Sequence, residues 1–313
     1  MAKLIMTAEQ IKDRNAWLEV RNSGLGGSDA GAIIGLNPYK KPYQLWLEKT
    51  GQIEQEDLSD NEAVYWCTVL DEAVANRFTE VTGKKVRKSG LLRSDEYLFM
   101  LASPDRMVVG ENAGLEIKTA NGFAAKKWEG DEVPDSYYCQ CQHYMAVTGC
   151  EKWYIACLLG GQRFVWKTID RNDTDIQALI MAEKEFWKHV TEQTAPPVDS
   201  SAIPYLETKY EKVKKGEPIV LPNDAHSLIA AYVALDANIK EWELKKNDIK
   251  AKLVDMLGEN ESGINGEYKV SWAERKGRET FDKKKFEADH PGMLKKYTTI
   301  GNPTRTFSIK GGN

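Results

Sequence analysis

The strongest constraint on the fold is a change of hydrophobic period between Asn61 and Ile169. From Asn61 to Thr82, Val64, Leu70, Val74 and Phe78 form much of a helical stripe, which Gly83 stops. Four short strand candidates follow: Lys85 to Arg93, Leu98 to Ala102, Arg106 to Val109 and Gly114 to Thr119, the last two separated by a turn at Gly110-Glu111-Asn112. Ser136 to Thr148 returns to helical spacing. Lys152 to Leu159 and Arg163 to Ile169 then form a hairpin across Gly160-Gly161, and Thr174 to Glu192 is a helix. This order predicts an α/β (α+β) chain with a mixed sheet flanked by helices.

Upstream, Thr7 to Asn15 reads as a short helix with Thr7 as cap and Gln10 at the capping-box position. Gly24, Gly26 and Gly27 mark a flexible turn. Ser28 is the expected N-cap of a helix through Ala30, Ile33 and Ile34, ended by Gly35 and Pro38, and Tyr43 to Thr50 is another helix stopped by Gly51. Downstream, Gln193 to Pro222 is a composition break, so residues 1–200 read as one domain, 201–222 as a linker and 223–313 as a C-terminal extension. In that extension Leu228, Tyr232, Leu235, Ile239, Trp242, Ile249, Leu253 and Met256 follow steps of four and three, interrupted at Lys246. That is a heptad stripe on one long helix, either packed on its own chain or paired with another. Tyr268 to Glu274 and Thr304 to Lys310 are expected to form a small β-rich tail.

Composition narrows the function classes. Hydrophobic residues make up 42% and charged residues 29% of 313, the balance of a globular protein. No apolar run is long enough to span a bilayer, and MAKLIMTAEQIKDRN lacks the features of a signal peptide, so a cytoplasmic protein is expected. A net charge of −4 argues against a generally basic nucleic-acid coat but permits a locally basic channel. The odd number of cysteines, five, speaks against a disulfide framework. Cys139-Gln140-Cys141 lacks the further pairs of a zinc or iron–sulfur site, so buried or incidental thiols are expected.

Three features carry chemistry. In SPDRMVVGENAGLEIKTA, strand alternation puts Glu116 and Lys118 on one face and Ile117 on the other, and pairing of the two strands brings Asp105 towards Glu116. Two carboxylates together repel unless a cation neutralises them. Asp105, Glu116 and a backbone carbonyl such as that of Ile117 suit Mg²⁺, with Lys118 placed to orient or deprotonate a water or to stabilise a phosphorane. A surface hairpin with a Glu–Lys pair is the alternative. The second feature is Arg21 with Ser28 around GLGG, either an anion site or a capped helix with a surface arginine. Asp29 stands where a dinucleotide fingerprint needs its last glycine, and there is no Walker A element. The third is Gln140 and Tyr144, four apart on one helix face, able to bind phosphate or simply to satisfy each other.

Taken in order, these residues resemble the YqaJ-type viral recombinase family, relatives of phage lambda exonuclease within the restriction-endonuclease-like, PD-(D/E)XK superfamily. The matching stretches are WLEVRNSGLGGSDAGAIIGLNPYKKPYQLWLEKTG from Trp17, SPDR from Ser103, LEIK from Leu115 and QCQHY from Gln140. The resemblance spans about residues 15–195 and implies a restriction-endonuclease-like central sheet. It implies a Mg²⁺- or Mn²⁺-dependent exonuclease that degrades one strand of linear double-stranded DNA from its 5′ end and leaves a 3′ overhang for recombination. By resemblance Asp105 and Glu116 are metal ligands, Lys118 is the catalytic lysine, Arg21 and Ser28 hold the 5′-phosphate, and Gln140 and Tyr144 serve the same DNA site. The implied partners are a single-strand annealing protein of the RecT or Red-beta type and further copies of the chain, in a trimeric ring. An endonuclease using the same metal site, or a non-catalytic DNA- or partner-binding module, are the other readings. The family usually places a glycine and, four residues on, a glutamate in the long helix. Here Cys67 and Asp71 stand there, followed by Glu72, so Asp71 or Glu72 is the candidate third acid. Arg275, Lys276, Arg278 and Lys283 to Lys285 are either a DNA, subunit or partner contact or a solvated basic face.

Overall fold

The computed structural model describes residues 2–55, 58, 60–210, 216–299, 301 and 305–311. The chain divides into two compact units, Met1–Glu211 and Lys212–Asn313. The first unit begins with β1 (Lys3–Met6), α1 (Arg14–Asn22), β2 (Leu25–Gly26), α2 (Gly27–Ile33), α3 (Pro42–Lys49) and α4 (Glu62–Thr82). It continues with β3 (Val86–Lys88), β4 (Leu91–Arg93), β5 (Met100–Ala102), β6 (Arg106–Val108) and β7 (Ala113–Ala120). Then come α5 (Asp135–Thr148), β8 (Lys152–Leu159), β9 (Arg163–Asp170), α6 (Asp173–Thr191) and α7 (Ile203–Lys209).

The five-stranded sheet has the order β3-β6-β7-β8-β9, antiparallel except for the central β7–β8 pair, which is parallel. Alternation along β7 and β8 decides what covers each face. Leu115, Ile117, Tyr154 and Ala156 pack against Val74, Ala75 and Phe78 of α4. On the opposite face Trp153, Ile155 and Cys157 pack against Cys141, Tyr144 and Met145 of α5. Burying a side chain such as Phe78 contributes about 1.5–3 kcal/mol, so these two seams fix the layers. Asn61 caps α4 by accepting from the Ala63 and Val64 N–H groups, and Gly83 ends it at φ 71°. A second sheet, β1-β4-β5-β2, carries the parallel β2–β5 pair that delivers the chain into α2.

Several expectations are corrected. The long Lys85–Arg93 strand is two strands in two sheets, because Gly90 sits so tightly on the Met6 carbonyl that any Cβ there would overlap it. Thr7 and Gln10 do exchange capping-box hydrogen bonds, but over a 3-10 turn at Gln10–Lys12. The helix proper starts after Asp13, whose carboxylate accepts from the Asn15 and Ala16 N–H groups. Val64 is exposed, since only the C-terminal half of α4 meets the sheet. Residues 200–209, at the start of the expected 201–222 linker, are helical, with Ala202 buried beside Phe186 and Val190. Residues 211–215 of the expected linker lie outside the described residues.

The second unit contains α8 (Ala225–Leu257), the hairpin β10 (Ser262–Asn265) and β11 (Tyr268–Ser271), and the short helices α9 (Lys283–Asp289) and α10 (Met293–Lys296). The expected Tyr268–Glu274 strand thus ends at Ser271. Thr304 lies outside the described residues, and Arg305 to Lys310 are not a strand.

Candidate active site

The predicted site residues of β7 emerge where its two faces diverge. Ile117 goes into the α4 core, while Glu116 and Lys118 face α5. Gln140 of α5 meets them there. Its amide nitrogen donates to Glu116 Oε1 at 2.6 Å, and its Oε1 accepts from Lys118 Nζ at 3.0 Å. Lys118 Nζ also donates to Glu116 Oε1 at 2.6 Å and lies 4.8 Å from the centre of the Tyr137 ring. Tyr144 lies 3.0 Å from Gln140 Nε2 and donates its phenol proton to the Ser103 carbonyl at 3.2 Å. Gln140 and Tyr144 therefore belong to the Glu116–Lys118 cluster, not to a separate surface.

Ser103-Pro104 delivers Asp105 to the same place. Asp105 Oδ2 accepts the Ile117 N–H at 2.7 Å. In an extended strand a residue's N–H and C=O point to the same edge, so the Ile117 carbonyl faces the Asp105 side of β7. Burial raises the Asp105 pKa well above the carboxylate range, the nearby Glu116 charge adds to this, and Lys118 opposes it. Lys118 resists burial because Glu116 and Asp105 surround it, and its pKa is raised. Glu116 Oε2 is buried without a hydrogen-bond partner. Two close carboxylates, one with an unsatisfied oxygen, beside a carbonyl facing the same edge form a donor set that suits a hard divalent cation. Among the described residues no three His, Cys, Asp or Glu side chains come together as a ready-made ligand group.

Asp71 pairs with Arg106. Its carboxylate and that of Glu72 both receive Arg106 Nη2, the latter at 3.0 Å, and Arg106 Nη1 also donates to the Asp105 carbonyl at 2.9 Å. Asp71 lines a cavity of about 450 Å³ with Asp105, Arg106, Ile117 and Lys118. Ser28, Trp66, Tyr137 and Gln140 line another of about 650 Å³, and Cys67, Lys118 and Thr119 border both. Cys67 Sγ lies 2.7 Å from Thr119 Oγ1, and the other four cysteines are buried.

Arg21 Nη2 donates to Ser28 Oγ at 2.8 Å and pairs with Asp29 at 3.2 Å. Ser28 is not the helix cap. Gly26 occupies that position, and its N–H is accepted by Asp29 at 3.0 Å. Nor are the glycines a flexible turn. A Cβ on Gly24 would overlap the Phe99 carbonyl, one on Gly26 the Arg21 guanidinium, and one on Gly27 would lie 2.6 Å from Tyr144 and 2.9 Å from Gln140. Through Gly27 the Arg21–Ser28 corner packs directly on the Gln140–Tyr144 face. Sequence reasoning missed Lys49, whose buried ammonium sits 3.2 Å from Asp29 and donates to the Arg21 and Gly24 carbonyls. Burial opposes ionisation of Asp29, but Arg21, Lys49 and the Gly26 N–H outweigh it and hold Asp29 well below the usual carboxylate range. For Lys49, burial and Arg21 prevail over Asp29 and lower its pKa. Tyr137 and Arg106 were also missed, the former adjacent in sequence to residues that were read, the latter part of the quoted SPDR.

The two crystal structures of an alkaline exonuclease from Laribacter hongkongensis, one in complex with dAMP, superpose with TM-scores of 0.51 and 0.50 at 20% identity, covering 63% of this chain and 98% of theirs. The shared fold is restriction-endonuclease-like. An uncharacterised protein of Bacillus subtilis (strain 168), YqaJ, is 39% identical over 314 residues, 98% of this chain and 97% of that one. Residues 16–151, which contain every site residue from Arg21 to Tyr144, match the YqaJ-like viral recombinase domain. With nearly full-length similarity to YqaJ and the site enclosed by the matched segment, the chain belongs to the YqaJ-like viral recombinase family.

Proposed function

We propose that the chain is a divalent-metal-dependent nuclease acting on DNA, and more specifically a 5′-to-3′ exonuclease on linear duplex that leaves 3′ single-stranded overhangs. The observation that carries this reading is half-buried Asp105 beside Lys118 and the buried Glu116, with Glu116 Oε2 unsatisfied.

Asp105, Glu116 and the Ile117 carbonyl would hold Mg²⁺ or Mn²⁺, which when bound neutralises phosphate charge and lowers the pKa of water. Gln140 fixes Glu116 and Lys118 by bonding both, so the acid and the ammonium keep one spacing. Lys118, held as an ammonium by its neighbours, donates hydrogen bonds to the attacked phosphate or to the incoming water. Arg106 holds Asp71 and Glu72 beside this site, which makes Asp71 an outer support rather than a direct ligand. Arg21 and Ser28 offer a guanidinium and a hydroxyl to a terminal 5′-phosphate, with Lys49 as a second cation against the single Asp29 charge. Recognition of that phosphate sets the polarity of digestion. The resemblance adds a single-strand annealing protein as partner, a ring of copies around the duplex, and the cytosol of a bacterial host as the place of action.

The test is digestion of linear duplex with 5′-phosphate, linear duplex with 5′-hydroxyl and closed-circular duplex, by wild type and Lys118→Ala. Mg²⁺-dependent loss of the phosphorylated linear duplex by wild type alone is expected. Cutting of the closed circle would make the chain an endonuclease. Equal activity of Lys118→Ala would remove the lysine from the reaction, and inactivity with every divalent metal would leave a binding module.

A further inference from the structure

Helix α8 runs for 33 residues, about 50 Å at 1.5 Å per residue. Its heptad stripe from Leu228 to Met256 is exposed along its length, with Leu235 at 61% and Trp242 at 68%. Within its own unit the rings of Tyr232 and Phe307 approach to 5.4 Å, and Leu257 is buried at the C-terminal end. A helix of this length with a largely exposed apolar seam, interrupted at Lys246, is stabilised by a second apolar surface.

The seam is complementary to itself in one direction only. A two-fold axis beside Leu244 sets Tyr232 against Met256, Leu235 against Leu253, and Ile239 against Ile249 of a second, antiparallel copy. The same axis sets Trp242, whose own Lys245 ammonium lies 5.2 Å from the ring, against Lys246, the one charge in the seam, so that a second ammonium meets the indole. Asp236, paired in its own chain with Lys240 at 2.8 Å, then flanks Lys250 of the second copy, whose ammonium lies 4.9 Å from its own Trp272 ring. Glu243 and Lys245 each lie beside their own counterparts, at the solvent edges where screening weakens the repulsion. A parallel pair would instead stack Lys246 on Lys246 inside the seam and flank it with Lys245 beside Lys250 on both sides, with no opposite charges facing.

We infer that α8 pairs with α8 of a second copy as an antiparallel two-helix coiled coil, with Lys246 of each copy on Trp242 of the other. The pairing is a two-fold contact of the second unit and does not depend on the nuclease reading or on any ring built by the first unit.

Light scattering of the full-length chain after size exclusion tests it. Ile239→Asp should halve the molar mass of the assembly. Trp242→Glu should keep the wild-type mass, because the new carboxylate meets Lys246, and Trp242→Glu combined with Lys246→Glu should halve it. These last two positions are exposed in the single chain, so the variants leave its core intact. Loss of mass by Trp242→Glu alone would show that Lys246 of the second copy does not face position 242 and would overturn the inference. So would a mass that none of the variants changes, or a wild-type assembly with an odd number of chains.

Discussion

Gln140 Nε2 lies 2.6 Å from Glu116 Oε1, a bond made across the seam between α5 and β7 by residues 24 positions apart. The same Gln140 accepts from Lys118, which itself donates to Glu116 Oε1 at 2.6 Å, so one amide orients both members of an ion pair. Gln140→Ala should leave the sheet intact but lower the rate of nucleotide release from linear duplex about 10–100-fold, the usual cost of losing a group that orients a ligand. The rate should recover partly at higher Mg²⁺ if Glu116 is the group displaced. Measuring rate against Mg²⁺ separates this from a simple folding defect, which thermal unfolding reports independently.

Gly26 and Gly27 are adjacent but support different contacts. A Cβ at Gly27 meets Tyr144 at 2.6 Å and Gln140 at 2.9 Å, inside a packed seam. Gly27→Ala should therefore destabilise the chain by about 1–3 kcal/mol and reduce activity with it. A Cβ at Gly26 meets only the end of the Arg21 side chain, which can swing away. Gly26→Ala should lose the preference for 5′-phosphorylated over 5′-hydroxyl ends and lose less stability than Gly27→Ala, because Lys49 and the Gly26 N–H still hold Asp29 when Arg21 moves away. Paired digestion rates and melting curves of the two variants check both halves.

How much of this was legible depended on range. Glu116, Ile117 and Lys118 were readable because alternation alone sorts three consecutive residues onto two faces. Gly24 to Gly27 were misread because glycine serves a flexible turn and a close approach equally, and only the fold supplies Phe99, Arg21 and Tyr144 as neighbours. The Asp71–Arg106 contact joins residues 35 apart, and periodicity says nothing about which helical acid an arginine on a strand will find. Lys49 was hidden in an ordinary helix end, where a cation normally faces water rather than a buried carboxylate.

The acid pair makes metal binding measurable without turnover. A cation that binds only the folded chain stabilises it by about 2.7 kcal/mol at a hundred times its Kd, on the order of 5–10 °C for a domain of this size. Mg²⁺ or Mn²⁺ should raise the melting temperature of wild type, and a chelator should reverse the shift. Glu116→Gln and Asp105→Asn should abolish the shift. Asp71→Asn should keep most of it, because Arg106 already occupies the Asp71 carboxylate. A shift lost equally in Asp71→Asn would make Asp71 a ligand in its own right.

His143 and Glu183 form a fully buried pair between α5 and α6, Nδ1 to Oε1 at 2.8 Å, while His143 Nε2 lies 2.9 Å from the Leu101 carbonyl. Both ring nitrogens face acceptors, which suits the doubly protonated imidazolium. Burial opposes that charge, but Glu183 and the Leu101 carbonyl outweigh it and raise the His143 pKa above 6.5. A raised histidine pKa contributes stability that is fully present below the unfolded value and is lost as pH rises through the folded one. Thermal stability of wild type should therefore carry a component that declines from about pH 6.5 upward. Glu183→Gln removes the anion, so it should cost about 3–5 kcal/mol at acidic pH and progressively less above it. The difference between the two melting curves, followed from about pH 5.5 to 9, isolates this pair from other titrating groups. A difference that stays constant across that range would show that His143 is neutral in the folded chain.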